Sequence, residues 1–201
     1  MIYLDNNATT QLDPAVVEEM MPFLTTLYGN PSSGYSFGSQ VRCAINLART
    51  RVAALLGCGA SEIIFTSSGT EANNTAINSA LQMDERRQHI VTTAVEHSAV
   101  RRHCEELAKR GCEVTFLGVD PEGNLDLEKL GQAIRPDTAI VSVMWANNAT
   151  GVVFPVEEIA RIAQQKGAPF HTDAVKDAGQ LQTNPADSAI RFLSLGGTTP
   201  P

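Results

Sequence analysis

The order of the apolar segments constrains this chain more than any other feature. From residue 62 onward the periodicity predicts strands over 62–66, 89–92, 113–117, 139–144 and 169–171. Helical stripes over 71–81, 99–109, 125–134 and 156–165 separate them. Short apolar strands alternating with amphipathic helices give an α/β fold: a mostly parallel sheet with helices on both faces. Sheets of this kind place their ligands beyond the carboxyl ends of the strands, so the residues after each strand are the first candidates for a site.

Two helices precede the alternation. Asp13-Pro14 reads as an N-cap followed by an N1 proline, and Val16, Val17, Met20, Met21 and Leu24 form a stripe that ends before Gly29. A second stripe runs through Val41, Ala44, Ile45, Ala48, Val52, Leu55 and Leu56 and stops at Gly57. With 201 residues, 43% of them hydrophobic, the chain can bury a substantial core.

Charge and cysteine usage narrow the classes of function. Fifteen basic against 22 acidic residues leave a net charge of -7, too negative for holding a nucleic-acid backbone by counterion release. No apolar stretch is long enough to span a membrane. The opening MIYLDNNATT lacks the basic and apolar regions of a secretory signal, so a cytoplasmic location is expected. Cys43, Cys58, Cys104 and Cys112 show neither CxxC spacing nor paired histidines, so reduced thiols are expected and no metal site.

The strand ends carry the chemistry. After the strand over 62–66 comes Ser67-Ser68-Gly69-Thr70-Glu71-Ala72-Asn73-Asn74, a small turn that opens a helix. Its amides and hydroxyls could cradle a phosphate, or a hydroxyl could simply cap the helix. No GxxxxGK[ST] motif is present, and Gly57-Cys58-Gly59 precedes a strand instead of following one. After the next strand His97 stands at a helix start, where it can stack on a ring, move protons or only cap the helix. Asn147 and Asn148 follow the strand over 139–144, with amides suited to a ring oxygen or to an Asx turn. Asp173 comes directly after an apolar strand, where a carboxylate calls for a cationic partner. A phosphate turn, a flat ring, an amide and an acid at successive strand ends make the inventory that holds pyridoxal phosphate. The acid keeps the cofactor's ring nitrogen protonated.

With these residues assembled, the chain resembles the cysteine desulfurases of the class V aminotransferase group, especially the nitrogen-fixation type. The resemblance is carried by YLDNNATT at 3–10, GNPSS at 29–33, FTSSGTEANN at 65–74, VEHSAV at 95–100, VSVMWANN at 141–148 and HTDAV at 171–175. It implies the large domain of a fold-type I pyridoxal-phosphate enzyme, incomplete at its C-terminal end. The arm and first helix would occupy 1–33, the cofactor domain 34–195 and a divergent tail 196–201, all within one domain. By matching position, Gly69 and Thr70 take the phosphate, His97 stacks on the ring and assists proton transfer, Asn148 contacts the ring hydroxyl side, and Asp173 pairs with the ring nitrogen.

The departures from the family are specific. Ala149 stands where the family has glutamate, Tyr35 where it has histidine, and Lys176 where it has the glutamine that partners the ring oxygen. Beyond Leu195 the family continues Ser-Gly-His-Lys, whereas this chain reads Gly196-Gly197-Thr198-Thr199-Pro200-Pro201, with Thr199 near the place of the lysine that holds the cofactor covalently. The resemblance therefore covers the N-terminal half of a family member. The other half carries the sulfur-accepting cysteine and the arginine for the substrate carboxylate. What it implies is removal of sulfur from L-cysteine, giving alanine and an enzyme persulfide for an iron–sulfur scaffold protein, in a homodimeric family. A chain lacking these groups is expected to be inactive alone. The alternatives are a selenocysteine lyase, another class V aminotransferase relative, or a non-catalytic frameshifted fragment.

Overall fold

The computed structural model describes residues 2–3, 9–175 and 188–197. Lys176, Thr199 and residues 4–8 of the opening motif lie outside the described residues. Two compact units divide between Phe65 and Thr66.

The first unit is helical. Helix α1, Pro14–Thr25, starts where the Asp13 carboxylate accepts a hydrogen bond from the Ala15 amide at 2.7 Å, with Pro14 in the first turn. Helix α2, Ser36–Leu56, begins ahead of the apolar stripe and ends at Gly57, whose φ of 69° is the left-handed conformation that glycine adopts without steric cost. The strand expected over 62–66 does not form. A 3-10 turn at Ala60–Glu62 leads into irregular chain, in which the Arg49 guanidinium donates to the Ile63 carbonyl and lies 4.9 Å from the centre of the Phe65 ring. A side chain thus takes the backbone acceptor that a neighbouring strand would need. Ile64 stays 73% exposed, so the apolar run is not a buried strand.

The second unit holds helix α3, Gly69–Met83, and then the alternation: β1 (His89–Thr93), α4 (Ser98–Lys109), β2 (Glu113–Leu117), α5 (Leu127–Ala133), β3 (Thr138–Ser142), α6 (Val156–Gln165), β4 (Phe170–Ala174) and β5 (Ile190–Leu195). All four strand pairings are parallel, in the order β2-β1-β3-β4-β5. One face packs Ile90 and Ile140 against Ile77, Ala80 and Leu81 of α3 and Val100 and Cys104 of α4. The other packs Val91, Val141 and Phe170 against Leu130 of α5 and Ile159 and Ala163 of α6. The expected parallel sheet covered on both faces is what the chain forms.

The chain leaves β1 toward β2 and returns to the sheet at β3, on the other side of β1. The crevice beyond β1 and β3 is therefore the switch point at which a sheet of this kind offers a site. Two buried histidines also bridge strands laterally. His89 meets Thr138 Oγ1 at 2.8 Å and Thr115 Oγ1 at 2.9 Å, and His171 meets Ser142 Oγ at 2.8 Å and Ser194 Oγ at 3.0 Å. Burial without a charged partner holds His171 down to about 4, so it serves the sheet as a neutral ring.

Candidate functional site

Asp173 lies within β4, not beyond it, and is buried. Its Oδ2 accepts from Asn73 Nδ2 at 2.7 Å and its Oδ1 from the Val175 amide at 3.1 Å. Burial raises its pKa, while the Val175 and Asn73 donors and the nearby His97 pull it back down. Among the described residues, neutral donors stand where a cationic partner was expected. The carboxylate is held in place by two N–H groups, and among the described residues no side-chain cation is hydrogen-bonded to it.

Asn73 belongs to α3, one turn in from Gly69. The helix begins at its N-cap Ser68, whose Oγ accepts from the Glu71 amide at 3.2 Å. The first intrahelical bond runs from the Ala72 amide to the Ser68 carbonyl at 3.0 Å, so the amides of Gly69 and Thr70 precede it and project from the helix start. The Glu71 carboxylate accepts from both the amide and the hydroxyl of Ser67 at 2.6 Å, and these bonds lower its pKa. Capping by Ser68 therefore coexists with a first turn whose leading amides point outward. A Cβ placed on Gly69 would come within 2.6 Å of Val175 Cγ2, so the absence of a side chain lets the helix start sit against the end of β4.

His97 is the N-cap of α4 and is exposed, and its Nδ1 accepts from the Ala99 amide at 3.2 Å. With Nδ1 engaged as an acceptor, Nε2 is the nitrogen that carries the proton. Before it, Glu96 is buried, its Oε1 accepting from Thr93 Oγ1 at 2.7 Å and from the Met144 amide at 3.0 Å. Burial, with Asp173 adding to it, pushes the Glu96 carboxyl up to about 8. Of the paired asparagines, Asn147 forms the Asx turn: its Oδ1 accepts from the amides of Ala149 and Thr150, each at 3.0 Å, and its Nδ2 donates to the Val95 carbonyl at 3.0 Å. Asn148 follows it, exposed at the same strand end.

Gly69, Thr70, His97, Asn148 and Asp173 thus share the carboxyl edge of one sheet, while Lys176 lies outside the described residues. Asn147 takes the Asx-turn alternative expected of the paired asparagines, whereas Asn73 and Glu96 are structural partners to which the sequence assigned no role. The signal for Asn73 was its position one helical turn after Gly69, and that for Glu96 was a carboxylate directly after an apolar strand. A recess of about 500 Å³ beyond β2 is lined by Gly118, Asp120, Asn124 and Asp126. Its carboxylates are occupied locally, Asp120 by the Asn124 amide and Asp126 by the first turn of α5.

A helix start that presents amides, a buried carboxylate beside it and a histidine near that carboxylate suit a ligand with a phosphate at one end and a cationic ring nitrogen at the other. The fold and this edge together define the large domain of fold-type I pyridoxal-phosphate enzymes. The chain belongs to the aminotransferase class-V family, whose model matches residues 2–198.

Among its relatives, cysteine desulfurase 2 of Trichormus variabilis is 53% identical over 98% of this chain and 50% of its own length. Cysteine desulfurase NifS of Azotobacter vinelandii is 51% identical over 98% of this chain and 49% of its own. Among solved structures, a NifS-like protein superposes with a TM-score of 0.93 at 36% identity, covering 98% of this chain and 55% of that one. SspA in complex with cysteine gives 0.93 at 34%, covering 98% and 57%. The chain spans about half the length of the curated relatives it matches.

Proposed function

We propose that this chain is the cofactor-holding half of a cysteine desulfurase, with L-cysteine as the substrate of the whole enzyme. The observation that carries the reading is Asp173, buried at the end of β4 and held by Asn73 from the helix whose first turn faces the same edge. In this reading Gly69 and Thr70 hold the phosphate through the start of α3. His97 lies on the ring and moves a proton at Nε2, and Asp173 takes the ring nitrogen. Asn148 and Lys176 stand on the side of the ring oxygen. Residues 34–195 act together as the cofactor domain.

When bound, pyridoxal phosphate supplies an electron sink for the pair released at the α-carbon of the amino acid. The sulfur acceptor in this reading is an iron–sulfur scaffold protein, and the working enzyme is a cytoplasmic homodimer. Thr199 stands near the place of the family's cofactor lysine, and the sulfur-taking cysteine and carboxylate-holding arginine belong to the half of family members that this chain does not span. Turnover is therefore assigned to the longer assembly, since groups that act as a unit fail together.

The experiment is titration of the chain with pyridoxal phosphate, followed by borohydride reduction and peptide mapping. Saturable binding that weakens in Thr70→Val and His97→Ala, with no pyridoxyl group on Lys176, is the expected result. Binding indifferent to both substitutions would contradict the site. A modified Lys176 would give that residue the role of the missing lysine.

A further inference from the structure

We propose that Glu96 is a positioning residue that fixes the His97 turn to the end of β3, an inference that rests on the cofactor role given above to His97. The turn from β1 into α4 is short, and it crosses the switch point of the sheet. Glu96 Oε1 takes two donors, Thr93 Oγ1 from the end of β1 at 2.7 Å and the Met144 amide beyond β3 at 3.0 Å. One residue earlier, the Val95 carbonyl accepts from Asn147 Nδ2 at 3.0 Å. Two consecutive residues of the turn are thus tied to the β3 end, and the next residue is His97.

Both of the carboxyl group's bonds end on one oxygen. Glu96 Oε2 is buried and has no hydrogen-bond partner among the described residues. A carboxylate that used its charge here would be expected to have a cation or further donors on that second oxygen. Burial instead keeps the group protonated up to about 8. The tether therefore needs an acceptor oxygen of the right reach, which an amide provides equally well. His97 caps α4 through Nδ1, so its ring follows the turn wherever the turn goes.

The test uses the full chain, with pyridoxal phosphate as the probe and the fluorescence of Trp145, the one tryptophan, as the readout. Trp145 follows β3, and its amide donates to the Asp173 carbonyl at 2.9 Å. Glu96→Gln is expected to bind within about twofold of the native chain, and Glu96→Met about tenfold more weakly, the scale of a lost buried hydrogen bond. In a His97→Ala background, Glu96→Met is expected to weaken binding no further, because it acts through the ring. Hydrogen exchange gives a readout independent of the cofactor. Amides at 95–99 and 144–148 should exchange faster in Glu96→Met and unchanged in Glu96→Gln, with β4 and β5 protected in both.

Loss of binding in Glu96→Gln equal to that in Glu96→Met would overturn the proposal, as would effects of Glu96→Met and His97→Ala that add in full. Unaltered exchange at the turn in Glu96→Met would also overturn it. Should Glu96→Met fail to fold, Thr93→Val removes one of the two donors and should give the same local change in exchange, and no change there would count against the tether. A native chain that binds no pyridoxal phosphate, but whose turn loosens in Glu96→Met, would sink the cofactor reading and leave the tether standing.

Discussion

Asn73 and Asp173, a hundred residues apart, are joined by a 2.7 Å hydrogen bond in which the amide of α3 donates to the buried carboxylate of β4. The bond makes one helix responsible for both ends of the candidate site, the first turn with its outward amides and the orientation of the acid. It also fixes which way the Asn73 amide faces, leaving its Oδ1 buried without a partner among the described residues. A buried acceptor without a partner costs about 1–3 kcal/mol, so the arrangement is held by the rest of the packing.

Asn73→Ala is expected to destabilise the chain by about 1–3 kcal/mol. It should also raise the Asp173 pKa further, since one of the donors that lower it is gone. Pyridoxal phosphate binding should then lose its acid limb at a higher pH than in the native chain, because pairing with the ring nitrogen requires the ionised carboxylate. A binding titration across pH checks this, and an unshifted acid limb would separate Asn73 from the ionisation of Asp173.

Gly69→Ala is expected to push the start of α3 off β4, because the new methyl group would lie 2.6 Å from Val175 Cγ2 and 3.1 Å from Cγ1 of a stiff, branched side chain. Pyridoxal phosphate binding should fall sharply. Adding Val175→Ala should restore much of it, and failure of that rescue would mean that Gly69 matters for another reason.

Stability should depend on pH through two buried groups with opposite signs. Glu96, at about 8 when folded against an ordinary 4.5, holds a proton that the unfolded chain has lost, so stability falls as pH rises from 4.5 to 8. His171, at about 4 against 6.5, excludes a proton that the unfolded chain binds, so stability falls as pH drops from 6.5 to 4. Each contributes a slope of at most about 1.4 kcal/mol per pH unit. The two cancel between 4.5 and 6.5, and of these two only Glu96 acts above that. Denaturant melts of Glu96→Gln should show stability rising from pH 4.5 to 6.5 and then level to pH 8. A decline above pH 6.5 that survives in Glu96→Gln would refute the assignment.

The architecture was legible wherever a strand is buried on both faces, as with His89–Thr93 and Thr138–Ser142, because such burial sets adjacent apolar residues side by side without alternation, Ile90-Val91 in one and Ala139-Ile140-Val141 in the other. The same signal misled at 62–66. Ile63, Ile64 and Phe65 are as apolar as a central strand, but Arg49 occupies the Ile63 carbonyl and stacks on Phe65. Period alone cannot register such a competitor. At the site, His97 and Asp173 were legible because each follows or ends a strand. Asn73 and Glu96 were not, because their roles depend on contacts across 100 and 48 positions of sequence. Resemblance to a family brought out the matched residues but not the partners that hold them.

If Asp173 meets the ring nitrogen of pyridoxal phosphate, an analogue carrying carbon in place of that nitrogen loses the contact, and comparing the two compounds reads it. Affinities for both are read from Trp145 fluorescence in the native chain and in Asp173→Ala. The native chain is expected to prefer pyridoxal phosphate by about tenfold, the scale of one buried charge-assisted hydrogen bond, and Asp173→Ala to bind the two alike. Equal affinity of the native chain for both compounds, or a preference that persists in Asp173→Ala, would contradict the account.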